Sequence, residues 1–319
     1  MRKVFPFPHY DMATWFPGHM FKGLQKMQQK IGDMDCVIEV HDARIPFSGR
    51  NPLFSRHAKM RPHILVLSKI DMVDSKSLRW LRANSDKLSC NAVIFADMNN
   101  KTDVAAHQIL DETMQVLENS DRYAHRIKED AFNLLIMGIP NVGKSSLINF
   151  LRNSTLRKKG KSTRVGASPG VTRAVLEKIR ISDEPPMFLY DTPGIVSPRV
   201  ESADVALKLA ACNTVKSSVI GEEMICDFIL YHLNKNNILR YVKLYGMEQP
   251  SDEILEVLRA IAVREDKFTK HTIAGQYQML PNFKFACDRM LKDFNHGKLG
   301  SLNFDRELIF GEPQEPNSI

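Results

Sequence analysis

"GIPNVGKSS", Gly138–Ser146, fits the pattern G-x-x-x-x-G-K-[ST]. It follows an apolar, strand-like run, "FNLLIM", and opens a helix-like one, "SSLINFLR". A glycine-rich turn between a strand and a helix N-terminus aims backbone N–H groups at phosphate oxygens. In such a loop Lys144 reaches the β- and γ-phosphates, the Ser145 hydroxyl ligates Mg²⁺, and Asn141, Val142, Gly143 and Ser146 line the cradle.

The segments around this loop define the fold class. "CVIEV" (36–40), "HILVL" (63–67), "AVIFA" (92–96), "FNLLIMG" (132–138) and "PMFLYD" (186–191) are short apolar runs that read as buried strands. Helical patterns lie between them at Ser75–Asp86, Val104–Glu118 and Lys144–Arg152, and a basic amphipathic helix is expected over Met20–Ile31. Buried strands alternating with helices predict an α/β, mostly parallel, doubly wound sheet. Past about Val205 the pattern is helical ("ALKLAACNTV", "EEMICDFILYHLNK", "DEILEVLRAIAVRE", "FKFACDRMLKDFNHG"), with no strand-like run, and Gly297 reads as a helix stop. The expected organisation is an N-terminal segment (1–20), an α/β domain (21–205) and a small all-helical C-terminal domain (206–319).

Downstream of the phosphate loop, Asp191-Thr192-Pro193-Gly194 ends the strand "MFLY". Asp191 is placed to hold Mg²⁺ through a water, and the Gly194 N–H to meet a γ-phosphate. Thr172, in "SPGVTR", offers a hydroxyl that closes over the same ion. The residue after Gly194 is Ile195, where many small GTPases carry a water-positioning glutamine. Guanine is read by an [NT]KxD sequence, yet nothing after Gly194 fits. The candidate precedes the phosphate loop: Ser68-Lys69-Ile70-Asp71, at the end of "HILVL". The order base motif, phosphate loop, switches is a circular permutation. A doubly wound sheet tolerates it because ligands bind at the strand carboxyl ends whatever the chain order.

The chain has 44 Lys+Arg against 37 Asp+Glu, a net charge of +7 and a sequence pI near 9.1, which suits either plain solubility or a polyanionic partner. Arg152, Arg157, Lys158, Lys159, Lys161, Arg164 and Arg173 form a run with no acid before Glu177, a candidate for phosphate contacts on RNA. The five cysteines form no CxxC pair, so neither a zinc site nor a disulfide framework is indicated. No run reaches the roughly 18 apolar residues of a membrane span. The N-terminus makes a weak organelle-targeting peptide and no secretory signal.

With "WFPGHM" (15–20), "DCVIEVHDARIPFSGRNP" (35–52), "SKID", "GIPNVGKSSLIN", "PGVTR", "DTPGI" and "GKLG" (297–300), the sequence resembles the circularly permuted ribosome-assembly GTPases. Its wording lies nearer the mitochondrial branch than the bacterial one. The resemblance implies GTP and Mg²⁺ as ligands, with K⁺ held through Asn141. It implies slow intrinsic hydrolysis, with His19 of WFPGHM either positioning water in place of the missing glutamine or serving structure. Lys144, Thr172 and Gly194 would complete the catalytic set. Most members carry Asn where this chain has Ser68, a shorter brace for phosphate loop and base. The implied partner is the large ribosomal subunit and its rRNA, bound by a monomer that assists assembly and leaves on hydrolysis. The implied place is the mitochondrial matrix or the matrix face of the inner membrane, with a peripheral contact there; the cytoplasm is the alternative. A nucleotide-gated rRNA-binding scaffold with little hydrolysis is the rival reading.

Overall fold

The computed structural model describes residues 2, 4–7, 25, 28–50, 61–98, 103–120, 131–156, 177–192, 194, 202–273 and 276–311. WFPGHM with His19, the segment holding Thr172, Ile195, and the basic run from Arg157 to Arg173 lie outside the described residues.

Six strands form one sheet in the order β3-β2-β1-β4-β6-β5: β1 (Cys36–Asp42), β2 (His63–Ser68), β3 (Ala92–Ala96), β4 (Phe132–Met137), β5 (Glu177–Asp183) and β6 (Pro186–Asp191). All pairs are parallel except β5·β6. β1 and β2 are buried along their whole length, which is why they read as largely apolar runs; the buried Glu39 of β1 is held by His41 Nε2 at 2.8 Å. β5 was not expected. It alternates charged residues with the buried Ile179 and Ile181, the pattern of an edge strand with one covered face.

From β1 the chain builds outward through β2 and β3, then returns to β4 and builds the other way. The β1/β4 junction is therefore the topological switch point, where open α/β sheets bind ligands beyond their carboxyl ends. The helices of this part are α1 (Ser75–Ala83), α2 (Asp103–Glu118) and α3 (Lys144–Thr155). The Asp74 side chain caps α1 by accepting from Ser77 N.

The C-terminal part contains α4 (Ala203–Ala211), α5 (Glu222–Lys235), α6 (Arg240–Tyr245), α7 (Ile254–Arg264), α8 (Phe283–Asn295) and α9 (Arg306–Phe310). The expectation that it is all-helical needs one correction. Between α7 and α8 stands an antiparallel hairpin, β7 (Phe268–Ile273) with β8 (Gln276–Pro281). Its residues are polar and β-branched rather than continuously apolar, so no run of the kind sought marks it.

One continuous cluster of buried side chains runs from the sheet through α4, α5, α7 and α8, taking in Phe5. The Phe5 ring packs edge-on to Phe228 at 5.3 Å, and Arg2 donates to Asp227 at 2.9 Å, so the N-terminal tip lies on α5. All five cysteines are free thiols. Among the described residues, no helix is long and apolar enough to cross a membrane.

Candidate nucleotide-binding site

The expected site residues that are described gather at the carboxyl ends of three strands, β2, β4 and β6. The loop after β4 has φ of +154° at Gly138, +58° at Asn141 and +99° at Gly143. A Cβ on Gly138 would stand 2.3 Å from the Val40 carbonyl, so only glycine lets β4 run this close to β1. The loop ends at the N-terminus of α3, which has no side-chain cap and whose first turn carries Lys144, Ser145 and Ser146.

Lys144 is buried, and its Nζ donates to the loop's own carbonyls, Gly138 O at 3.1 Å and Ile139 O at 3.0 Å. Burial pushes its pKa down to about 8, against the opposing pull of the Asp191 carboxylate. An ammonium held on carbonyl dipoles at this cost is suited to an incoming phosphate.

Asp191 is buried at the end of β6, and the neighbouring Thr192 hydroxyl donates to Ile136 O at 2.8 Å, tying β6 to β4. A Cβ on Gly194 would meet Pro140 Cα and N at 2.7 Å. The DxxG glycine therefore lies against the phosphate loop, where a side chain would force them apart. Ser145 and Asp191 form an oxygen-only donor pair, the chemistry Mg²⁺ requires. The Asn141 amide nitrogen donates to Asn213 O at 2.6 Å, fixing the amide that was expected to serve K⁺.

The base motif lies beside this loop although it precedes it in the chain. Ser68 is fully buried, and its single hydroxyl proton is shared between Val142 O at 2.6 Å and His41 O at 2.8 Å. Serine thus still braces the phosphate loop, with one donor where an asparagine offers two. Lys69 takes a left-handed turn (φ +57°), and its Nζ meets Asp42 Oδ2 at 2.8 Å. Asp71 is exposed on the short helical turn Ile70–Met72.

The sequence marks "DARIP" as a family motif but gives its residues no role in the site. Asp42 is fully buried and takes Arg44 in a fork, Nε to Oδ1 at 3.0 Å and Nη2 to Oδ2 at 2.7 Å. Burial works against this carboxylate, but the Arg44 guanidinium and the Lys69 ammonium outweigh it and hold its pKa well below the usual range. Arg44 continues to Asn295 Oδ1 at 3.1 Å and stacks over Phe294 with 5.1 Å to the ring centroid.

The segment after α8 then clasps both loops. Leu302 N donates to Met72 O at 2.9 Å, Ser301 Oγ to Asp71 O at 3.3 Å and Asn303 Nδ2 to Ala43 O at 3.2 Å. Phe304 N reaches Arg44 O at 2.8 Å. The buried Asp305 carboxylate accepts from Phe47 N and Ser48 N at 2.8 Å each, and from Lys208 Nζ at 3.3 Å. An acid following the apolar run of β1 was the one available signal for Asp42. Nothing local marks Asp305.

The family model described as "50S ribosome-binding GTPase" matches residues 133–267. The match begins at β4, leaving the base motif ahead of it, as a permuted chain requires. A mitochondrial ribosome-associated GTPase 1 of Bos taurus is 42% identical, covering 98% of this chain and 95% of that protein. Its Mus musculus counterpart is also 42% identical, over 97% and 94%. A ribosome biogenesis GTPase A of Bacillus cereus is 33% identical, over 95% and 97%. A crystal structure of GNP-bound YlqF from T. maritima superposes with a TM-score of 0.54 at 22% identity, covering 88% of this chain and 97% of that one, and shares the fold. The permuted site and these full-length likenesses together establish that the chain belongs to the family of mitochondrial ribosome-associated GTPase 1 and ribosome biogenesis GTPase A.

Proposed function

We propose that this protein is a GTPase that acts in assembly of the large ribosomal subunit of mitochondria, docking with GTP bound and leaving after hydrolysis. The carrying observation is the Ser68 hydroxyl on Val142 O at 2.6 Å, which sets the guanine motif against the phosphate loop. The names of its relatives, mitochondrial ribosome-associated and ribosome biogenesis GTPases, supply the process. GTP lies with its phosphates on the Gly138–Ser146 loop and its base on the Ser68–Asp71 loop. Mg²⁺ falls to Ser145 and Asp191, joined by Thr172, and neutralises charge on the β- and γ-phosphates when bound. K⁺ at Asn141, water positioning by His19 and a matrix location at the inner membrane complete the reading. Residues 21–205 form the GTPase domain, and 206–319 the docking domain of a monomer.

The test is GTP turnover by the purified protein in K⁺ buffer, with and without mitochondrial large subunits. Strong stimulation is expected, lost in His19→Ala with GTP binding intact. GTP-dependent subunit binding without stimulated turnover would instead describe a nucleotide-gated scaffold.

A further inference from the structure

The β7–β8 hairpin breaks a rule that the rest of the molecule obeys. A two-stranded hairpin is marginal in water unless one face is covered, yet residues 267–272 and 276–280 are exposed on both faces. Among the described residues it is held at its root. There Lys267 N donates to Ala262 O at 2.8 Å and Asn282 N to Lys267 O at 3.0 Å, while the Asn282 side chain caps α8 through Phe285 N at 2.9 Å.

The register sorts its side chains. Phe268 opposes Pro281, Lys270 opposes Met279 and Thr272 opposes Tyr277, so these six share one face. Tyr277 is 72% and Met279 62% exposed, and Lys270 Nζ sits 3.6 Å from the centre of the Tyr277 ring. Lys267, Lys270 and Lys284 occur between Asp266 and Asp288 with no carboxylate among them.

We propose that this face of the hairpin is a contact for single-stranded or looped RNA. Bases stack on Tyr277 and Phe268, and Lys270 meets a neighbouring phosphate. The proposal rests on the ribosomal reading above and gives its docking domain a contact surface. Flat rings beside cations are the means by which proteins hold unpaired nucleotides without reading sequence. Phe268 and Lys270 stand two residues apart on one strand, about 6.8 Å. That separation lets a base cover one while its phosphate approaches the other. On this face Lys270 is the one charged residue among the six, and a lone cation beside exposed rings favours a polyanion over an apolar protein groove.

The experiment is fluorescence anisotropy of the full-length protein with a short labelled oligouridylate, alongside sedimentation with mitochondrial large subunits. Tyr277→Ala should weaken oligonucleotide binding about tenfold, whereas Tyr277→Phe, which keeps the ring, should bind like wild type. Lys270→Gln should lower the salt slope by about one phosphate contact. GTP affinity and Tm should stay unchanged in all three, because the hairpin is exposed and remote from the loops at the sheet. Unaltered oligonucleotide affinity in Tyr277→Ala would overturn the proposal. So would loss of subunit binding with oligonucleotide binding intact, which marks a protein partner, or a defect confined to cardiolipin vesicles, which marks a lipid surface. Wild-type protein that binds the oligonucleotide but ignores subunits would refute the ribosomal reading and leave the RNA face standing.

Discussion

The two halves of the nucleotide mouth are built on opposite electrostatic plans. In the phosphate half, a buried ammonium rests on carbonyl oxygens with its pKa pushed down to about 8. In the base half, the buried Asp42 carboxylate is already matched by Arg44 and Lys69 at 2.7 and 2.8 Å. The first half carries a charge that an anion would satisfy. The second has its buried carboxylate paired with two cations before any ligand arrives and is braced from outside by Asn295 and by residues 301–305. On the proposed reading, phosphates would supply most of the binding energy, and the base loop a shape held ready by the C-terminal part of the chain.

Substitution at Lys144 should separate the halves most sharply. Lys144→Met is expected to weaken GTP binding by at least about a hundredfold, since it removes charge-assisted bonds worth about 1.5–3 kcal/mol each; titration with a fluorescent GTP analogue measures this. The same change should stabilise the ligand-free protein at neutral pH. The folded pKa of about 8 lies below the ordinary 10.5, so the unfolded chain binds more protons between those values. Wild-type stability should then rise with pH through that window, and the Met variant should not follow. Thermal melts across the range check the sign.

Asp42→Asn should act the other way. It leaves Arg44 buried against a neutral amide, a loss of about 3–5 kcal/mol of folding stability that chemical denaturation would read. Nucleotide binding should fail there through the base loop, so selectivity for GTP over inosine triphosphate should drop with stability. The smallest expected effect is at Asn303→Ala, which removes the bond to the Ala43 carbonyl and the one accepted from Asp305 N, and costs about 2 kcal/mol of stability. If its GTP affinity falls while GDP-independent phosphate-analogue binding holds, the clasp serves the base half alone. Equal losses would erase the distinction.

How much of this was readable in advance follows the same division. β1, β2, β3, β4 and β6 lie where apolar runs of five to seven residues placed them, because a strand buried on both faces has few positions left for polar residues. The phosphate loop was legible for a related reason: the φ values of Gly138 and Gly143 demand glycine, and chemistry demands Lys144. β5 and the β7–β8 hairpin escaped because their strands are half polar or fully exposed, which leaves no apolar run. The motif order showed that the Ser68–Asp71 loop belonged at the mouth. It could not show what holds that loop, because Asp305 and Ser48, or Arg44 and Asn295, meet only after the chain has folded back on itself.

That return of residues 301–305 to loops at 43–48 and 71–72 has a consequence for how the protein is made. A chain emerging from a ribosome exposes its phosphate loop long before the segment that steadies the base loop. Selective recognition of guanine should therefore wait until Asp305 has cleared the exit tunnel. Stalled nascent chains of increasing length, tested for retention on GTP resin, should switch from non-binding to binding only once Asp305 has emerged.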